Sequence, residues 1–241
     1  MGCGSSKDRD VDLTDLAPNR PGQPGQDYEH DVDLTPDNLE DALQLMASYI
    51  TGRRRELSIV VVGGVVSTML LRTRDSTQDI DFFSEQLSRE DAKLLMEASQ
   101  HVRQQLTDPR LGSGWFNNMT TFFINSRIRA QLVAEGLAQN AVVFQSPGLT
   151  LLAAPWAYQF CAKVHRMAGG GRKGHDAGDA AGYLYQFLTS QNMQTISADE
   201  IGQLLERYQI QGIDRSGLLE AFQAINEAFA ARYGNANPIV Q

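Results

Sequence analysis

Two carboxylates spaced two residues apart are the side chains of this sequence best suited to chemistry. Asp79 and Asp81 stand on either side of Ile80 and just before Phe82 and Phe83, which predicts a short β-strand. Because side chains alternate between the two faces of a strand, both carboxylates should share one face while Ile80 enters the core. Two oxygen ligands on one face suit a Mg²⁺ ion that takes water and phosphate oxygens in its other positions.

A glycine pair and two arginines stand upstream of these carboxylates. The β-branched run 57–62 predicts a buried strand that ends at Gly63 and Gly64. Because glycine carries no Cβ, backbone N–H groups at such a turn can approach phosphate oxygens closely. Arg72 and Arg74 follow, and their guanidinium groups could neutralise phosphate charge. Together these residues predict a site that holds phosphates, and a leaving pyrophosphate, through Mg²⁺.

The same motifs resemble the nucleotidyltransferase superfamily of the DNA polymerase β type, and most closely its abortive-infection toxin branch. Members combine an apolar strand, a Gly-Gly or Gly-Ser turn, a short helix and an Asp-x-Asp pair on the next strand. The matching positions here are Gly63, Gly64, Arg72 or Arg74, Thr77, Asp79 and Asp81. The resemblance implies Mg²⁺-dependent transfer of a nucleoside monophosphate from an NTP to a protein or small-molecule hydroxyl. Asp79 and Asp81 would then hold the metal.

The resemblance extends over residues 36–190. The family's helical segment carries a lysine and is followed by a basic run with two aspartates. The corresponding residues are Lys163, Arg166, Arg172, Lys173, Asp176 and Asp179. This implies that the glycine pair cradles the β- and γ-phosphates, while Arg74 and Lys163 stabilise the departing charge. The Ala-Pro-Trp at 154–156 and the Asp-Ala-x-x-Tyr-Leu at 179–184 also resemble an uncharacterised fungal family.

Active members of the superfamily supply a third carboxylate from a later strand, and its counterpart is not evident here. The predicted strand 120–124 contains no acid, and the predicted strand 141–144 is followed by Gln145. Glu135 lies on the predicted helix between them. A fold that brings Glu135 or Asp176 to the carboxylate pair would favour an enzyme, and one that brings Gln145 there would favour an inactive protein.

Two alternatives to an enzyme therefore stay open. One is a catalytically inactive, lipid-anchored protein that keeps the fold for nucleotide binding or as a scaffold. In the other, Asp79 and Asp81 only form ion pairs with Arg72 and Arg74. A missing third ligand would weaken one metal position and remove a candidate general base.

The N-terminus predicts a lipid anchor. The first seven residues, MGCGSSK, match the N-myristoylation pattern, with Gly2 as the acylated residue and Ser6 at the hydroxyl position. One myristoyl chain binds membranes only marginally, so a second signal is needed. Residues 1–34 carry three cations against eight carboxylates, which argues against a polybasic signal and favours palmitoylation of Cys3. We therefore expect the protein at the cytoplasmic face of a membrane, or in the cytoplasm if it is not acylated.

Composition limits the remaining functions. The 241 residues carry a formal net charge of −8, so long nucleic acid is not expected as a partner. No apolar run approaches the roughly 20 residues that span a bilayer. Cys3 and Cys161 are the two cysteines, which are too few for a disulfide framework or a zinc site, and a reducing compartment is expected.

The periodicity predicts an α+β fold, with α/β as the alternative: a small mixed β-sheet of the nucleotidyltransferase type flanked by helices, and a helical C-terminal half. Strands are predicted at 57–62, 80–83, 120–124 and 141–144. Helices are predicted at about 35–51, 65–71, 87–106, 128–137, 154–167, 176–189, 198–208 and 215–232. The predicted organisation is a disordered acidic tail at 1–34, a nucleotidyltransferase-like domain at 35–190 and a helical extension at 191–241.

Overall fold

The apolar strand at 57–62 lies at the centre of the fold. The computed structural model describes residues 32–234 and 239–240, and within them β1 (Leu57–Val62) is the middle strand of a five-stranded sheet. Five of its six residues are buried, so both of its faces are covered. The other strands are β2 (Ile80–Phe83), β3 (Phe116–Asn117), β4 (Val142–Ser146) and β5 (Leu149–Ala153).

The sheet is of mixed direction, in the order β3-β2-β1-β5-β4. Strand β1 runs antiparallel to β2 and parallel to β5, β3 runs parallel to β2, and β4 runs antiparallel to β5. The register places Asp81 opposite Val62 on one side and opposite Asn117 on the other. The end of β1 and the start of β2 therefore meet at one end of the sheet.

Helices surround this sheet and form the C-terminal half of the chain. They are α1 (Pro36–Thr51), α2 (Arg89–Gln105), α3 (Ser126–Gln139), α4 (Trp156–Ala168), α5 (Asp176–Gln191), α6 (Ala198–Arg207) and α7 (Arg215–Tyr233). Short helical turns form at Val66–Leu70 and Met119–Phe123. The first helix begins at a capping box, in which Thr35 and Asn38 satisfy each other's backbone N–H groups.

One continuous core joins the sheet to the helical half. Helix α4 packs against α5, α6 and α7, and α5 also packs against α7. Helix α3 packs on β1, where Gly136 lies so close that a Cβ would come within 2.8 Å of the Val60 side chain. The core includes Ile59 of β1 and Ile225 of α7. The predicted segments 35–190 and 191–241 thus share a single apolar interior.

The fold is α+β, as predicted, but two details of the sheet differ from the prediction. The strand predicted at 120–124 is wrong, because Met119–Phe123 forms a 3₁₀ turn in which the Thr121 N–H and O–H both donate to the carbonyl of Asn118. The third strand, β3, precedes it and has only two residues, too few to show alternation. Strand β5 is absent from the prediction because a strand that is buried on both faces does not alternate between polar and apolar residues.

The predicted anchor residues Gly2 and Cys3 lie outside the described residues, as does most of the acidic tail. Among the helices that are described, none combines the length and the apolar character needed to cross a bilayer.

Candidate functional site

An open cleft of about 410 Å³ lies where β1 ends and β2 begins. The residues around the start of β2 form one wall, and α4, α5 and the turn between them form the other. The charged and histidine side chains that line it are Asp33, Arg74, Asp79, Asp81, Lys163, Arg166, Lys173 and His175. Carboxylates and cations therefore share one space.

The predicted carboxylate pair lies in this cleft. Asp79 directly precedes β2, Asp81 is its second residue, and Ile80 between them is fully buried. Burial and then the negative charge of Asp79 raise the pKa of Asp81 to about 7, although hydrogen bonds from Thr120 act against the shift. A cation between the carboxylates would offset their repulsion, and carboxylate oxygens are ligands that Mg²⁺ prefers. The pair therefore fits the predicted ion.

An amide stands beside the pair on the neighbouring strand. Asn117 of β3 is in register with Asp81. Its Nδ2 donates to Asp79 Oδ2 at 3.3 Å and to the carbonyl of Gly114 at 2.9 Å, while its Oδ1 accepts the Met119 N–H at 2.8 Å. The strand next to the carboxylates thus contributes a neutral side chain.

None of the three residues considered for the third position lines the cleft. Glu135 binds Arg207 at 2.5 Å and the Tyr208 hydroxyl at 2.9 Å. Gln145 lies on the edge strand β4. Asp176 is buried beneath the cleft wall, and the third carboxylate that does line the cleft is the exposed Asp33 at its rim.

The predicted glycine turn lines the cleft, but its two residues differ in role. The Gly63 N–H donates to Gln159 Oε1 at 3.0 Å, and the Gly63 carbonyl accepts from the Tyr183 hydroxyl at 2.8 Å. This backbone is therefore already bonded within the protein. A Cβ on Gly64 would lie 2.0 Å from both Arg74 Nη2 and Thr77 Oγ1. Glycine at position 64 is what allows Arg74 to occupy its place.

The two predicted arginines separate. Arg74 lines the cleft, where Nη1 donates to His175 Nε2 at 3.0 Å and Nη2 donates to Thr77 Oγ1 at 3.3 Å. A guanidinium N–H can only donate, so His175 Nε2 is the acceptor. Burial and then the Arg74 charge lower the pKa of His175, which is consistent with that role. Arg72 is exposed, is not among the residues lining the cleft, and uses its carbonyl to bind Arg232.

Lys163 reaches the cleft but is bound within the protein. Its Nζ donates to Asp176 Oδ1 at 2.9 Å and to Asp179 Oδ2 at 2.7 Å. Arg166 also binds Asp176. Burial lowers the pKa of Lys163, against the opposing charge of Asp179. Burial would raise the pKa of Asp176, but hydrogen bonds from Arg166 and the Lys173 backbone N–H outweigh it and hold that pKa near 2.

A second group of possible metal ligands belongs to this same network. Oxygen and nitrogen atoms of His175, Asp176 and Asp179 lie within 4.8 Å of one another. Because Lys163 already places a cation between the two aspartates, the group is neutralised without a metal. Asp79 and Asp81 are therefore the better candidates for Mg²⁺.

Several residues that shape the cleft are absent from the sequence prediction. Asn117 and Gln159 belong to no recognisable motif. Tyr183 lies four residues after Asp179 on α5, which places both side chains on one helix face. That spacing was a usable signal, because the Asp-Ala-x-x-Tyr-Leu segment contains both residues.

Residues 32–211 match the model of a family described as a domain of unknown function, DUF7582, and the chain belongs to that family. The match includes every residue that lines the cleft. Neither a curated protein nor a solved structure matches the chain.

Proposed function

We propose that this DUF7582 protein binds the Mg²⁺ complex of a nucleoside triphosphate in the cleft and transfers the nucleoside monophosphate to a hydroxyl group. The observation that carries the proposal is the presence of Asp79 and Asp81 in the same cleft as several cationic side chains. A metal–triphosphate complex needs both, because its metal binds carboxylates and its phosphates bind cations.

In the proposed reaction the hydroxyl oxygen bonds to the α-phosphorus as the bond from that phosphorus to the bridging oxygen of pyrophosphate breaks. The hydroxyl proton leaves to solvent water through the open mouth of the cleft. Asp79 and Asp81 would hold Mg²⁺, which when bound supplies charge that stabilises the leaving pyrophosphate. Arg74 and Lys173 would bind phosphate oxygens. Lys163 acts indirectly, because its ammonium group holds two buried aspartates in place.

Nucleotide binding without transfer is the second candidate, and Asn117 favours it. The superfamily that the motifs resemble uses three carboxylates, whereas the strand beside this pair offers an amide that donates to Asp79. A neutral amide adds no charge to a metal site and takes up no proton at neutral pH. Both candidates share the metal–nucleotide complex and differ only in turnover.

The sequence supports a proposed acceptor and a proposed location. The net charge of −8 opposes the binding of long nucleic acid, so we infer that the acceptor is a hydroxyl group of a protein or a small molecule.

Acyl chains on Gly2 and Cys3 would hold the protein at the cytoplasmic face of a membrane. The mass of the N-terminal peptide from eukaryotic cells tests this, because a peptide without added acyl mass would contradict the anchor.

Thermal unfolding of the full chain tests the proposed binding. Each of the four common NTPs is added with and without Mg²⁺, and a ligand that binds only the folded state raises the melting temperature. We expect a rise that requires Mg²⁺ and disappears in the double variant Asp79→Asn/Asp81→Asn. The matched control is Asp75→Asn, because Asp75 is an exposed aspartate of the same loop that does not line the cleft.

Label from an α-labelled NTP then separates the two candidates. Label on an acceptor, lost in the double variant and kept in Asp75→Asn, supports transfer. A Mg²⁺-dependent melting shift with no label transfer to any acceptor supports binding alone. No shift with any NTP would contradict both.

A further inference from the structure

A second cavity, of about 500 Å³, opens beside the cleft. The two cavities share three lining residues, Thr120, Tyr158 and Ala162. Thr120 is also the residue that hydrogen-bonds to Asp81. A molecule whose phosphates are held near Asp81 can therefore continue past Thr120 into the second cavity.

The second cavity is neutral where the cleft is charged. Among the described residues that line it, none is Asp, Glu, Lys or Arg. Rings and side-chain amides form much of its wall, supplied by Phe123, Tyr158, Tyr208, Asn125, Gln209 and Gln211. A phosphate group finds no lysine or arginine there, whereas a flat neutral ring with hydrogen-bonding edges finds both stacking surfaces and amide partners.

Two features of this wall suit a ring-shaped ligand. Phe123 lines the cavity, yet 87% of its surface is exposed, and an exposed aromatic ring is a platform on which a base can stack. Asn125 uses its Oδ1 to accept the Arg127 N–H at 2.9 Å, and this leaves its two Nδ2 hydrogens as donors. In the same cavity, His165 Nε2 donates to the Gln211 carbonyl at 3.1 Å and thereby holds the loop that carries Gln209 and Gln211.

We propose that the second cavity binds the base and ribose of the nucleotide whose phosphates occupy the cleft. This inference rests on the proposed function, since it needs a nucleotide at Asp79 and Asp81. The division is one of charge, with the triphosphate beside the cations and the neutral base beside the rings and amides.

Calorimetric titration of the full chain in Mg²⁺ tests the inference, with ATP, CTP, GTP, UTP and inorganic tripolyphosphate as ligands. We expect at least one NTP to bind about tenfold more tightly than tripolyphosphate. Phe123→Ala should lower the affinity for that NTP about fivefold or more, given the usual contribution of base stacking, and should leave the affinity for tripolyphosphate unchanged. Because Phe123 is so exposed, its replacement does not disturb the core.

Phe122→Ala is the matched control. Phe122 is the neighbouring phenylalanine, is 47% exposed and does not line the cavity, so its replacement should leave both affinities unchanged. Equal affinity for every NTP and for tripolyphosphate would overturn the base site and leave phosphate binding intact. Absence of binding by all five ligands would overturn the proposed function with it. Slower label transfer in Phe123→Ala at unchanged NTP affinity would assign the cavity to the acceptor instead, and would also overturn the inference.

Discussion

Asp176 is fully buried and Asp81 is partly buried, yet their pKa values move in opposite directions. The pKa of Asp176 falls to about 2, because hydrogen bonds from Arg166 and the Lys173 backbone, with the Lys163 charge, outweigh its burial. The pKa of Asp81 rises to about 7, because burial is reinforced by the like charge of Asp79. Burial is common to both sites, so the neighbouring charges decide the sign.

The opposite pKa shifts distinguish two kinds of aspartate. One kind is already paired with a cation of the same chain, and the other is suited to bind a cation from solution. Asp176 and Asp179 receive their cation from α4 of the same chain. Beside Asp81, the same segment of chain brings a second carboxylate, Asp79, and the neighbouring strand β3 brings the amide of Asn117. An added divalent ion would therefore change little at the first site and much at the second.

Replacing Lys163 should produce the largest effect on stability. Lys163→Met leaves Asp176 and Asp179 buried with one cation fewer, so the free energy of unfolding should fall by about 3–5 kcal/mol, as for other broken buried pairs. Chemical denaturation measures it. Lys93→Met is the control, because that side chain is 74% exposed in a 3.8 Å surface pair with Glu97 and should change stability by less than about 1 kcal/mol. Equal effects of the two variants would show that the buried Lys163 network contributes no more to stability than a surface ion pair does.

A third acid on β3 should strengthen the response of the carboxylate pair to Mg²⁺. Asn117→Asp removes the Nδ2 bonds to Asp79 and Gly114 and adds like charge, so without Mg²⁺ the free energy of unfolding should fall by about 1–2 kcal/mol. The melting-temperature rise on adding Mg²⁺ should exceed that of the unmodified protein. Asn140→Asp, at the exposed C-terminal end of α3, should show the Mg²⁺ response of the unmodified protein. An unchanged Mg²⁺ response in Asn117→Asp would argue against a metal at this pair.

The smallest expected effect is the change of stability with pH. For each titrating group the free energy of unfolding should change by less than about 1.4 kcal/mol per pH unit. The folded pKa of Asp81 lies above its ordinary 3.8. Its contribution to the free energy of unfolding is therefore complete below pH 3.8 and is lost as the pH rises through 7. The folded pKa of Asp176 lies below 3.8, so its contribution is present above that value and is lost as the pH falls through 2.

Denaturation at several pH values without Mg²⁺ measures both contributions. Between pH 4 and 7 the free energy of unfolding of the unmodified protein should fall relative to that of Asp81→Asn. Saturating Mg²⁺ should remove this pH-dependent loss. A constant difference between the two proteins across this range would show that Asp81 titrates normally.

Much of the cleft could be predicted because its motifs are local. The apolar strand, the glycine pair and the spacing of Asp79 and Asp81 are contained within 25 residues, and alternation along β2 is enough to place both carboxylates on one side. The helices of the second half were predicted for the same reason, since their apolar period repeats within each segment.

The rest depends on contacts between distant segments. Asn117 meets Asp79 across 38 positions and through a strand of only two residues, so no local pattern indicates it. Lys163 has the composition of a phosphate-binding residue, and only the packing of α4 on α5 shows that its ammonium group is bound by Asp176 and Asp179. The sequence left both Arg72 and Arg74 as candidates for binding phosphate, and only the structure shows that Arg74 lines the cleft while Arg72 is exposed.

Helix α5 contacts the loop around the cleft at three successive turns. His175 at its start binds Arg74, Asp179 binds the Thr73 hydroxyl at 2.7 Å, and Tyr183 binds the Gly63 carbonyl. One inserted residue between the first and the last would rotate Tyr183 by about 100° around the helix axis and away from Gly63. A change of length within this stretch would therefore disturb the cleft, whereas an insertion in the exposed turn at 169–172 would leave the spacing of these three contacts unchanged.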